Sequence, residues 1–175
     1  MIAAAERAAQ ALLDKHGIGK PPTPLPEIAA AEGILIVQEP FRDDQVSGVL
    51  VREPDKTVII VNAGNSVARQ RFTVAHELGH FTLHKGAIYL DGRARVNFRD
   101  GRSSMATDRE EIGANAFAAA LLMPAEWVRR DFESVVKNAV IDSEQNLADA
   151  LSTRYGVSSQ AMLFRLVNLG LIASP

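Results

Sequence analysis

The chain has no cysteine among its 175 residues. That excludes a disulfide-stapled secreted scaffold and any zinc site built on thiolates. Neither sign of charge is in excess. Nineteen basic residues face 21 acidic ones, the net charge is −2 and the pI is about 6.1, so there is no electrostatic case for nucleic acid or an anionic membrane surface as partner. No apolar run approaches the roughly 20 residues that span a bilayer. The opening residues carry an acid as early as Glu6 and no basic stretch ahead of an apolar one, so they do not read as a secretory signal. The expected location is the cytoplasm. Aromatics are sparse at 6%, with one tryptophan, Trp127, expected as a packing anchor rather than a substrate stacker. Against these absences stands a hydrophobic content of 47%, enough for a proper core in a single domain of this length.

Residues 76–80 read His76-Glu77-Leu78-Gly79-His80. The pattern is that of a zinc-hydrolase helix. Residues four apart on a helix lie one turn on, about 6 Å up the axis, so two imidazoles can aim at one ion. Glu77 sits about 100° round the helix, displaced from the ligand pair and placed to hold a water. Zn²⁺ with three protein ligands and an open position lowers the pKa of such a water to about 7. The carboxylate then takes the proton and passes it to a leaving amine. Chance surface histidines could share this spacing. However, the chain has four histidines, His16, His76, His80 and His84, and three crowd this segment. Its flanks, Phe72 to Ala75 and Leu78 to Phe81, are mostly apolar, so the helix is expected to be buried nearly all round. Burial of His and Glu is costly unless they are paired or metal-bound.

His84 continues the series, but it lies two turns from His76, about 12 Å along a continuous helix, too far to share one ion with it. It is expected to close the helix near Lys85 and Gly86, or to line the cleft as a hydrogen-bond donor. A carboxylate on a second helix is the better third ligand. Thr107 and Glu110 have the spacing of a capping box, which gives Glu110 a backbone role and leaves Glu111 free. The face of Glu111 continues through Ala114, Asn115 and Ala118, small enough for close helix approach. The bland alternative is a solvated charge near a helix N-terminus. Two further candidates for polarising the scissile carbonyl are weaker: Tyr89, and an arginine from the run Arg93, Arg95, Arg99 and Arg102, with Arg99 singled out. Such a run is usually a solvated loop face; a strand over about 94–99 at the cleft mouth is the sharper reading.

The residues from Arg71 to Phe81, the segment Val96-Asn97-Phe98-Arg99-Asp100, the block from Glu111 to Pro124, and Tyr155 to Met162 together resemble the ImmA/IrrE family of zinc metallopeptidases. The resemblance runs in order over most of residues 25–170, and the Glu111 block is its most specific part. It implies a zincin-like endopeptidase holding Zn²⁺, or another divalent ion such as Mn²⁺, on His76, His80 and Glu111, with Glu77 as general base. It implies a cytoplasmic protein substrate, a co-encoded repressor with a helix-turn-helix domain, whose cleavage relieves repression under stress. Relatives with an extra DNA-binding or sensor domain are longer, so this chain is expected to be the peptidase module by itself.

The expected fold is α+β, a small, mostly antiparallel sheet of three or four strands packed on the motif helix, with a helical C-terminal region. A helix over 3–16 and a proline-rich connector fill residues 1–24. The catalytic core fills 25–123, with a short helix from Leu25, strands over 34–38, 46–52 and 57–62, and the motif helix over about 67–85. Residues 124–175 are helical: a short helix from Pro124 to about Phe132, then 143–154 and 158–168, with Asp142 or Ser143 and Ser158 as caps. That last pair is spaced like a helix-turn-helix. A DNA-reading role would place Ser159, Gln160 and Arg165 in a groove, but only Arg154 and Arg165 supply charge, and Phe164, Leu166 and Leu169 read as core. Direct DNA binding is therefore disfavoured. The remaining rival is a non-catalytic regulatory module that keeps a metal for shape.

Overall fold

The computed structural model describes residues 1–43, 45–84, 88–91, 101–138 and 143–173, and for 88–91, 101–107 and 138 the backbone alone. The architecture is α+β. Helix α1 (Ile2–Lys15) and helix α2 (Leu25–Ala31) precede strands β1 (Ile34–Glu39), β2 (Gly48–Glu53) and β3 (Lys56–Asn62). Then come α3 (Val67–Leu83), β4 (Ile88–Asp91), α4 (Gly101–Leu122), α5 (Ala125–Asn138), α6 (Glu144–Tyr155) and α7 (Ser159–Asn168). The four strands lie in the order β1-β3-β2-β4. β2 and β3 form a hairpin closed at Glu53↔Lys56, and β2 pairs antiparallel with β4. β1 runs parallel to β3, with Ile36 opposite Ile59. The sheet is thus mixed, with two antiparallel pairs of three.

The apolar alternation of these strands decides which face meets the helices. Leu50 and Ile59 are cross-strand partners and both are fully buried. Leu78 of α3 and Phe117 and Leu121 of α4 join the same core, as do Leu13 of α1 and Leu25 and Ile28 of α2. α3 therefore has neighbours on nearly every side, and all eight residues from Thr73 to His80 are buried. Both of its ends are tied. Ser66 caps the start, its Oγ accepting from the Arg69 amide at 3.4 Å. At the other end Arg52 of β2 reaches three carbonyls, donating to His80 at 3.1 Å, Phe81 at 2.7 Å and His84 at 2.8 Å. A cation on the last carbonyls of a helix satisfies orphan acceptors and complements the negative end of its dipole.

Two helix boundaries depart from expectation. α4 starts at Gly101, so Thr107 lies inside it and no capping box forms there. Nothing between Arg102 and Ala106 breaks a helix, which therefore extends back to the glycine. α5 runs to Asn138, well beyond Phe132. The expected strand over about 94–99, together with Arg93, Arg95 and Arg99, lies outside the described residues. The caps at Ser143 and Ser158 form as expected, each accepting an amide at 3.2 Å. α5 and α6 are joined through buried Asp131, whose carboxylate accepts from the Tyr155 hydroxyl at 2.8 Å and pairs with Arg154 at 3.0 Å. Trp127 is buried, as a packing anchor should be.

The sheet comes close to α3 at Gly48. A Cβ there would stand 2.3 Å from Thr73 Cγ2 and 3.5 Å from Glu77 Oε1. Gly48→Ala is accordingly expected to destabilise the protein by about 1–3 kcal/mol, the usual cost of overpacking. Thr73→Ser removes the methyl that clashes, so the double variant should recover part of that loss in urea unfolding. Additive losses would show that the contact does not limit the approach.

Candidate metal centre

α3 carries His76 and His80 on one face, one turn apart, and their Nε2 atoms point at the same place, 3.0 Å from each other. α4 delivers Glu111 to that place. Its Oε2 is 3.3 Å from His76 Nε2, and its Oε1 is 3.5 Å from His80 Nε2. One ligand atom from each of the three residues falls within a 4.8 Å cluster. The edge of a tetrahedron with zinc–ligand bonds of about 2.1 Å is about 3.4 Å. The observed separations therefore suit a cation of zinc's size with three protein ligands.

The close approach of α4 follows from small residues. A Cβ on Gly79 would lie 3.1 Å from both the Cα and the carbonyl oxygen of Ala114, and 3.2 Å from Phe117. The helix backbones nearly touch there, one turn from Glu111. Asn115 lies one turn beyond Glu111 on the same face, and its Oδ1 accepts from His76 Nδ1 at 3.0 Å. That bond fixes the tautomer, leaving the Nε2 lone pair for the cation. Asn115 sat on the expected face but had no expected role. The pattern that could have revealed it is the i, i+4 spacing from Glu111.

Burial and neighbours set the ionisation. Burial pushes the His80 imidazolium pKa down from 6.5, with the adjacent Glu111 pulling the other way. A neutral ring is what coordination needs. Burial alone would raise Glu111, but the His76 and His80 rings against its oxygens prevail and hold its carboxyl well below the usual carboxylate range. The first direction favours a neutral His80 ring, and the second keeps the Glu111 carboxylate anionic at neutral pH. Glu77 is 0% exposed, and its carboxylate lies beside Gly48 at the start of β2.

The other sequence candidates lie differently. His84 is the C-cap of α3, and its Nε2 donates to the Glu110 carbonyl at 3.3 Å. It braces α4 beside the cluster and is outside the set of three. Tyr89 is on β4, in register with Leu50; its side chain and all of Arg99 lie outside what is described. His16 is remote and pairs with Glu32 at 2.6 Å. Arg165 is 6% exposed, donating to the Met123 carbonyl and to Glu6, so it cannot face a DNA groove from this position. Phe164, expected in the core, is 62% exposed. Helical spacing puts Met162 and Leu166 inward and turns Phe164 out.

Two results should follow from this geometry. Asn115→Ala is expected to weaken zinc binding about 10–100-fold, the usual cost of losing a ligand's hydrogen-bond partner, as read by competition with a chromophoric chelator. Unchanged affinity would remove Asn115 from the site. Zinc affinity should also fall on acidification, because a protonated imidazole cannot coordinate. Since the folded pKa of His80 is depressed, the part of that fall due to His80 should lie below pH 6.5. A loss beginning above neutrality would contradict this.

Residues 29–167 match the family model of peptidase M78, described as the IrrE N-terminal-like domain. An uncharacterized immunity region protein 2 of Bacillus phage phi105 is 30% identical over 90 residues, 51% of this chain and 52% of that protein. A Mycobacterium tuberculosis transcriptional regulator shares the fold at a TM-score of 0.60 and 20% identity, covering 94% of this chain and 46% of that one. The chain thus spans about half the length of each. On the family match across most of its length, the chain belongs to the M78 peptidase family, with the IrrE N-terminal-like domain.

Proposed function

We propose that this peptidase is a zinc-dependent endopeptidase that cleaves a regulatory protein in the cytoplasm, a helix-turn-helix repressor encoded beside it. The observation that carries the reading is the convergence of His76, His80 and Glu111 within 4.8 Å, with Glu77 buried on the same turn. His76, His80 and Glu111 would hold the ion; manganese is the alternative to zinc. A bound divalent cation supplies Lewis acidity to a water and to the scissile carbonyl. Glu77 takes a proton from the attacking water and delivers it to the leaving amine. His76 is held by Asn115 throughout, so the ligand geometry need not reorganise.

A regulatory substrate is supported by the kind of relatives found, one named for a phage immunity region and one a transcriptional regulator. A DNA-binding role is opposed by Arg165, buried, and by Arg154, paired with Asp131. Among the described residues, no helix is long and apolar enough to cross a membrane.

The test is incubation with the repressor encoded nearest the gene, with zinc or manganese. Glu77→Gln is expected to keep zinc stoichiometry and lose about 10²–10⁴-fold in cleavage rate. Equal cleavage by both forms would remove Glu77 as the base. Tight binding without cleavage by either form would establish the rival reading, a non-catalytic metal-holding module. Glu111→Gln should lower zinc affinity; unchanged stoichiometry and affinity would take Glu111 out of the ligand set.

A further inference from the structure

A cleft of about 430 Å³ opens between the first half of α3 and helix α7. That volume falls within the range of sites that seat small ligands. His76 and Asn115 are among its lining residues, so the cleft reaches one of the three candidate ligands and the amide that holds it. Its apolar wall comes from Phe72 on α3 and from Val157, Ala161 and Phe164 at and after the α6–α7 turn. Ala161 and Phe164 are three apart and share a helix face. An exposed aromatic is informative where it lines a concavity rather than standing alone, and Phe164 at 62% exposure does so. Arg69 stands at the lip, and no aspartate or glutamate is among the described lining residues. Its Nε and Nη2 donate to Ser47 Oγ at 3.0 and 2.6 Å, which holds the guanidinium in place.

The α7 wall is fixed in position from below. Arg71, the residue before Phe72, donates to the Gly156 carbonyl at 3.0 Å and to the Thr23 carbonyl at 2.9 Å. The turn at Gly156 is left-handed, with φ of 65°, and a Cβ there would come within 2.9 Å of Arg71 Nε. Arg165 ties the opposite side of α7 to the Met123 carbonyl at 3.0 Å and to Glu6 at 2.7 Å. A wall bound this way is preorganised, so a ligand meeting it loses little ordering free energy to the protein.

We propose that this wall is the specificity subsite of the peptidase, seating a bulky apolar side chain of the substrate beside the scissile bond, with an acidic substrate residue at Arg69. This rests on the endopeptidase reading above. The C-terminal helix pair then selects the protein substrate, and the exposed aromatic of α7 has a partner in the substrate's apolar side chain.

The test uses short fluorescein-labelled peptides of alanine and serine with one variable pair: Leu, Phe or Ala followed by Glu or Lys. Binding is read by anisotropy on zinc-loaded Glu77→Gln protein, and cleavage by mass spectrometry with the unsubstituted enzyme. Leu and Phe peptides are expected to bind about tenfold or more tighter than Ala peptides, as apolar pockets discriminate. Phe164→Ala, in the Glu77→Gln background, should shrink that ratio severalfold. Arg69→Glu should reverse the preference for Glu over Lys, most clearly at low salt. Preferences that are the same with and without these substitutions would overturn the subsite, even if cleavage proceeds. Binding with the stated preferences but no metal-dependent cleavage of these peptides or of the repressor would overturn the endopeptidase reading and leave the wall a peptide-binding surface only. Neither binding nor cleavage of these peptides would overturn the subsite, while cleavage of the repressor would still uphold the endopeptidase reading.

Discussion

The contact between α3 and α4 at Gly79 is what the site depends on. Helix axes normally pack 8–10 Å apart, according to the side chains between them. Here a Cβ on Gly79 would meet the backbone of Ala114 at 3.1 Å, so there is no room for one. Glu111 lies one turn before Ala114 and Asn115 directly after it. The glycine therefore sets the distance at which α4 presents both a carboxylate and an amide to the two imidazoles. The ligand bonds tolerate errors of only about 0.2 Å, a tolerance that backbone-to-backbone packing can hold and flexible side-chain packing cannot.

This arrangement concentrates a large polar cost in one buried turn. His76, Glu77 and His80 are each 2% exposed or less. Burying such groups among Leu78, Phe117 and Leu121 is unfavourable unless each finds a partner. The partners are drawn from another helix: Asn115 for one ring nitrogen, Glu111 for the two that converge. Buried polar groups serve as a ligand set when their ionisation already suits it. Neutral His80 and charged Glu111 meet that condition, for reasons of burial and mutual contact respectively.

Much of this was legible in the sequence, and the misses are instructive. The motif helix and strands β1 to β3 were written in apolar periodicity, and the two caps Ser143 and Ser158 in residue type; β4, over Ile88–Asp91, was not legible. Glu111 was reached by an argument whose first step does not hold. The capping box at Thr107 is absent because α4 begins at Gly101. Glu111 meets the rings because it shares a face with Ala114, Asn115 and Ala118, a feature the sequence also carried. The parallel pairing of β1 with β3 was not legible, since local alternation says nothing about the direction of a distant partner. Phe164 was misread because an apolar residue near a core helix is usually core; Met162, Arg165 and Leu166 take the inner side of α7 and turn Phe164 outward.

That orientation separates two tasks within one small fold. The residues proposed for chemistry lie on α3 and α4, where helix spacing fixes them and leaves little freedom. The residues proposed for selection lie mainly on α7 and at the lip of α3, and none is a candidate ligand. A change at Ala161 or Phe164 alters the shape of the cleft without touching the Gly79 contact. The inward bonds of Arg71 and Arg165 hold α7 whatever its outer face carries. A peptidase built this way could keep one metal geometry while its substrate changes, because the residues that would hold the cation and the surface proposed to read the peptide meet, among the described residues, only at His76 and Asn115.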